Sequence, residues 1–298
     1  MKYFGKVHIT VLFLATFYLV SGVVYAQKDI NLSDSDTLCI ATYNVRIRTI
    51  ADTGPRNWKK RKNQVADLIK NHHFDLFGVQ ELDGLRQEND LKKLLKEYDH
   101  ISRGRDDNAG KRGERLAIFY DKDRFELLNS GHFFLSETPD TVSKGWDAAL
   151  KRICLWGKFH DNKTQHNFYF FNVHFDHAGF IARKESAKLL IKKVKQIADN
   201  DTIFCAGDFN ASTTESSIYN TMTSYLADSR ETSDKSPTGP EGTYNNWDVN
   251  SQKFGENVKI DYIFVRNIHT RTYSVIQDRF CTTNYPSDHF PVMIKCTF

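Results

Sequence analysis

The 298-residue sequence has no CxxC pair, no low-complexity block, no proline-rich linker and no strong excess of one charge. Each absence excludes something. Five cysteines, at 39, 154, 205, 281 and 296, are an odd number without metal-ligand spacing. They imply neither a zinc site nor a disulfide framework. Buried thiols are the expectation for all five, and Cys39, Cys205 and Cys296 lie in apolar, strand-like runs. Without a linker to divide it, the chain reads as one domain. The formal charge of +4 is too small for the surface of a general duplex-DNA binder. Long apolar runs are absent too, except near the start. There, Lys2 and Lys6 precede an apolar run from Val11 to Val24, and Val24-Tyr25-Ala26 has a cleavage-site pattern. The run is short for a membrane span. Residues 1–26 are therefore expected to be a signal peptide, and residues 27–298 a secreted or periplasmic domain. A monomer without a membrane or lipid anchor is expected. Cleavage removes Lys2 and Lys6, which lowers the net charge to +2.

What is present is globular. Hydrophobic residues make up 40% of the chain and charged residues 26%, which excludes wholesale disorder. Runs rich in Ile, Val, Phe and Tyr predict strands at 38–43, 76–80, 116–120, 125–135, 153–159, 167–175, 203–207, 260–265 and 291–298. Helical spacing is clearest over 180–198, where Ala187, Leu190, Ile191, Val194, Ile197 and Ala198 share a face. Lys188, Lys192 and Lys195 fall opposite, on a solvated face. Helices are also predicted over 57–71 and 90–97. Strands and helices mixed in this way point to an α/β class, a layered sandwich.

The chemistry-bearing residues cluster where these strands end. One apolar run stops at Asn44. Another runs straight into Gln80 and Glu81, and a carboxylate there is costly unless paired or metal-bound. A third gives way to Asn172, His174, Asp176 and His177; residues 172, 174 and 176 fall on one strand face. Two His and an Asp also permit a zinc reading. A fourth ends at Gly207, which would let the backbone approach a ligand closely, followed by Asp208 and Asn210. Asp261 stands early in an apolar run, and Asp288-His289 just before the last one. A carboxylate beside an imidazole fixes its tautomer and raises its pKa, which suits a cation facing phosphate.

Together, Asn44, Gln80-Glu81, Gly207-Asp208-Phe209-Asn210, Asp261-Tyr262 and Ser287-Asp288-His289 resemble, in this order, the endonuclease/exonuclease/phosphatase family. The resemblance spans residues 44 to 289. It implies a four-layer sandwich of two central mixed β-sheets flanked by helices, and hydrolysis of a phosphate ester assisted by Mg²⁺ or Mn²⁺. Glu81 would hold the metal, with Asn44 and Asp288 beside it. Asp208 would orient or deprotonate the attacking water, with Asn210 holding the water or the phosphate. His289 would contact the scissile phosphate, oriented by Asp261, and His174 would face it as a second histidine.

Further stretches are similar to those of a narrower group of secreted bacterial members: Gly104–Asn108, Gly113-Glu114, Leu135–Pro139, Gly145–Ala149, Arg152 and His177–Arg183. Arg105, Arg152 and Arg183 are candidate phosphate contacts, because a planar guanidinium matches phosphate oxygens. Asp176 and His177 join them as candidate substrate-binding residues. Trp146 is a candidate cleft wall. The substrate, small molecule or nucleic acid, stays open at this point. A nuclease would need a basic groove, for which Arg103, Arg105, Lys111 and Arg112 are available. A small-molecule enzyme would need a pocket. A non-catalytic binding protein on the same fold is a third reading.

Overall fold

The chain begins its described structure with Leu38–Asn44 (β1), buried at every position. That is the burial of a central strand covered on both faces. The computed structural model describes residues 37–251, 254–281 and 283–298. The expected signal peptide lies outside the described residues. Beside β1 in one sheet run, in spatial order, β11 (His269–Val275), β12 (Val292–Thr297), β1, β2 (Leu76–Asp83), β4 (Glu114–Asp121) and β3 (Tyr98–Gly104). The second sheet is ordered β5 (Phe125–Phe134), β6 (Ile153–Asp161), β7 (His166–His174), β8 (Thr202–Asp208), β10 (Asp261–Arg266) and β9 (Ala227–Asp228). Each sheet has one parallel pair at its centre, β1 with β2 and β7 with β8. The other pairings are antiparallel.

Three apolar cores fill the spaces between layers. Ile40, Ile118, Phe168, Phe170, Phe204 and Ile294 belong to the core between the sheets. The helix α1 (Trp58–Asn71) packs Val65, Leu68 and Ile69 on the first sheet, beside α2 (Gly84–Leu94). The helix α3 (Phe180–Ala198) packs Ala187, Leu190, Ile191 and Val194 on the second sheet, beside α4 (Ser216–Thr223). Lys188, Lys192 and Lys195 are exposed. The result is the four-layer sandwich of two mixed sheets flanked by helices.

Four elements escaped the apolar pattern. The edge strands β3 and β11 are mostly polar and half-buried, β9 has two residues, and α4 is short. The helix expected over 90–97 instead spans Gly84–Leu94. A buried polar residue moves it. Gln87 accepts from the backbone N–H groups of Arg48 and Asp83 and donates to the carbonyl of Arg46, a role that apolar periodicity does not register. Cys39, Cys154, Cys205 and Cys296 are buried, as expected, but Cys281 is exposed. Burial raises the Cys39 thiol to about 12.

The topology delivers the strand-end residues to one place. The parallel strands β1, β2, β7 and β8 end at Asn44, Glu81-Leu82-Asp83, His174 and Asp208. Their antiparallel partners start there: β10 with Asp261 opposite Asp208, β4 with Glu114, and β12 just after His289. Gly207 serves this arrangement and not a ligand. Its φ is +147°, and a Cβ there would collide with the Val173 carbonyl of β7.

Candidate active site

Glu81 departs from regular strand geometry. Its φ is +64°, and the register of β2 against β4 shifts between Val79 and Leu82. The irregularity turns the carboxylate toward the end of β1, where Ile47 N–H donates to Oε2 at 2.9 Å. Asn44 joins two carboxylates: its Nδ2 donates to Glu81 Oε1 and to Asp208 Oδ2, both at 3.0 Å. Its Oδ1 accepts from Arg46 N. Asn44 thus presents its NH₂, not its oxygen, to the two acids. Beneath it Gln80 donates to Asn172, which spans the sheets by donating to the Val79 and Ala117 carbonyls. Asn172 is therefore structural. Gly78 makes room for it, since a Cβ there would lie 2.9 Å from Asn172 Oδ1.

Around Asp208 stand two histidines in opposite circumstances. His289 Nδ1 lies 2.9 Å from Asp261 Oδ2, which also accepts from Thr243 Oγ1 at 2.6 Å. His289 Nε2 faces Asn44 and Asp208, at 3.4 and 3.9 Å. Burial alone would lower its pKa. The charge and hydrogen bond of Asp261, then Asp208 and Asp288, overcome that and raise it to about 10. His174 Nδ1 lies 3.1 Å from Glu114 Oε1, and Nε2 lies 3.5 Å from Asp208 Oδ2. Burial and the nearby Arg152 lower its pKa to about 3. At neutral pH, therefore, His289 is a cation and His174 is neutral.

The acids are equally differentiated. Burial, and then Asp261, push Asp208 above the usual carboxylate range despite both histidines. Burial and Glu114 push Glu81 up, but His174, His289 and the Ile47 N–H outweigh them, and its pKa is depressed. Burial raises Asp288, opposed by His289 and by Arg46, whose Nη1 is 3.4 Å from Asp288 Oδ2. Asn210 fixes Asp208 through its backbone N–H, 2.9 Å from Oδ1, and its side chain donates to the Phe175 carbonyl. These groups line a cavity of about 440 Å³.

The structure divides the sequence-expected residues. Glu81, His174, Asp208, Asn210, Asp288, His289, Arg152 and His177 line the cavity. Asn44 and Asp261 are buried against that lining. Arg105, Asp176 and Arg183 are not part of it. Arg105 pairs with Glu114 at 2.7 Å. Arg183 pairs with Glu215 at 2.9 Å and donates to the Asp176 carbonyl. Asp176 accepts from the N–H groups of Ala149, Leu150, Ala178 and Gly179, which hold its pKa far below the usual range against its burial. Thus occupied, Asp176 does not join His174 and His177 as a zinc triad. Trp146 does not line the cavity either; Leu150 and Tyr244 stand on its wall. Arg103 folds back on the Asn108 carbonyl and Arg112 lies 3.5 Å from Asp107. Sequence reasoning assigned no role to Glu114, Arg46 or Tyr244. Glu114 opens β4 opposite Asp83, just past the register shift that holds Glu81, and a charged residue starting a buried-type run was its signal.

Residues 41–289 match the model described as the Endonuclease/Exonuclease/phosphatase family. A solved mannosyl-6-phosphatase of Bacteroides thetaiotaomicron VPI-5482 is 41% identical with a TM-score of 0.81, over 88% of this chain and 100% of that one. A solved endonuclease/exonuclease/phosphatase from Bacteroides vulgatus is 35% identical with a TM-score of 0.80, over 88% of this chain and 99% of that one. An uncharacterized protein of Acanthamoeba polyphaga mimivirus is 27% identical over 249 residues, 80% of this chain and 91% of the relative.

Proposed function

The chain belongs to the endonuclease/exonuclease/phosphatase family, and from that premise we propose that it is an exported, monomeric, metal-dependent phosphomonoesterase acting on a small phosphorylated sugar. It is a hydrolase of phosphate ester bonds, as members of the family are. The observation that carries the narrower reading is the cavity. Its volume of about 440 Å³ falls in the small-molecule range of roughly 300–1,000 Å³. At its floor a histidinium, a neutral histidine and two carboxylates of opposite pKa displacement converge. Of the arginines on which a nucleic-acid groove would draw, Arg103 folds onto its own loop and Arg105 pairs with Glu114, which leaves Arg112 exposed. The similar mannosyl-6-phosphatase supports a sugar phosphate. Export rests on the amino-terminal sequence, and sequencing of the mature protein should begin at Gln27.

The donor set fits a hard divalent cation such as Mg²⁺ or Mn²⁺. Glu81, His174 and Asp208 each offer a ligand atom, all within 4.8 Å of one another. Magnesium uses one or two carboxylates and keeps several waters. Glu81 is the chief ligand in this reading, because its depressed pKa keeps it ionised. A cation held there would supply neutralisation of the phosphate oxygens and of the departing oxygen.

The chain's own groups account for the rest. His289, charged and held by Asp261, donates from Nε2 to a phosphate oxygen. Asp208, with its raised pKa, positions the water and accepts its proton. Asn210 holds Asp208 through the backbone and leaves its Oδ1 for that water. The test is a substrate panel of sugar phosphates, other phosphomonoesters, diesters, plasmid and RNA, with Mg²⁺ or Mn²⁺ and with EDTA. Metal-dependent phosphate release from sugar phosphates is expected. Turnover of plasmid or RNA in preference to every monoester would sink this reading.

A further inference from the structure

On the cavity wall beside His174, the side chain of His177 is exposed. Arg152, almost fully buried, donates from Nη2 to His177 Nδ1 at 3.1 Å. A guanidinium only donates, so Nδ1 must be the acceptor and the ring hydrogen sits on Nε2. The ledge under this pair is rigid. Asp176 is tied by four backbone N–H groups and lies 3.4 Å from Arg152 Nε. The ledge is also balanced in charge. Two guanidiniums, Arg105 and Arg152, face two carboxylates, Glu114 and Asp176. Arg152 Nη1 has no hydrogen-bond partner but lies 3.6 Å from Glu114 Oε1, so this wall already sets a carboxylate against the guanidinium. It offers an N–H donor from His177 next to an exposed apolar side chain, Leu150. That combination suits a hydroxyl on a carbon ring, whose C–H face meets the leucine.

We propose that His177, held in its Nε2–H tautomer by Arg152, selects substrates whose leaving alcohol is a polyol by donating to one of its hydroxyls. Arg152 is then a positioning residue and not a second phosphate clamp. The proposal rests on the phosphatase reading above and specifies the part of the substrate that is not transferred.

The test compares a hexose 6-phosphate with phenyl phosphate, which carries no hydroxyl. His177→Ala should lower the preference for the hexose phosphate, as a ratio of kcat/KM values, by roughly three- to tenfold, one neutral hydrogen bond. His177→Gln, which keeps an N–H donor, should recover part of it. An unchanged preference, with both substrates losing equally or neither losing, overturns the proposal. Ligand-observed NMR of the hexose phosphate in EDTA separates it from the phosphatase reading. A wild-type protein that binds the sugar phosphate, with weaker binding by His177→Ala, supports the subsite even if no substrate turns over. Equal binding by both proteins, or none by wild type, overturns it.

Discussion

His289 and His174 are the same residue type on either side of Asp208, and their surroundings shift their pKa values in opposite directions. Asp261 lies against one; the other is buried, with Arg152 nearby. This predicts a pH effect with a definite sign. His289 acts as a cation, so activity is lost as pH rises through its pKa. Asp261→Asn removes the largest upward influence on that pKa and should move the basic limb of kcat/KM to lower pH. An unmoved limb in the pH profile would free His289 of this role. Asp208 carries a second prediction. Its raised pKa means that folding disfavours its charge, so the ionised residue costs stability above its unfolded pKa. In EDTA, Asp208→Asn should therefore melt no lower than wild type, yet lose on the order of 10²–10⁴-fold in metal-dependent turnover. A variant that is both unstable and inactive would point to a structural role instead.

Between elements, the site depends on contacts that carry no chemistry. Arg61 of α1 is fully buried. It donates to the carbonyls of Arg56, Val45, Arg46 and Pro286, and lies against Trp58 and Trp247. No carboxylate lies within ion-pair distance of it among the described residues. It thus ties the chain after β1, next to Asn44, to the segment that presents Asp288 and His289. Arg61→Met leaves these carbonyls without their donor and should cost about 2–4 kcal/mol, read as a lower urea midpoint. Turnover should fall further than stability does, because both ligand-bearing loops lose their common tie. The element scale is also where sequence legibility varied most. The helix over 180–198 appeared at its full length because its apolar face is continuous. The helix Gly84–Leu94 did not, because Gln87 anchors it through polar contacts.

At the scale of the molecule, two sheets packed face to face bring several buried carboxylates together at their strand ends, and such a cluster is less stable empty than filled. Saturating Mg²⁺ should raise Tm, with a stabilisation of about 2.7 kcal/mol at a hundredfold excess over Kd. EDTA should reverse the gain, and Glu81→Gln should abolish most of it. An unchanged Tm in scans with and without metal would remove the cation from this site. Apart from Glu114, the acids and histidines that line the site were legible in the sequence, because polar residues at the ends of apolar strands are costly and stand out. So was the layered fold, from the alternation of strand and helix patterns. Their division of labour was not. Only the packing of β4 in one sheet against β7 in the other places Glu114 beside His174. Only the loop after β7 turns Asp176 onto backbone amides and His177 onto the cavity wall. Charge state, tautomer and cavity shape depend on distances between residues far apart in the chain, and those distances exist only once the two sheets have packed.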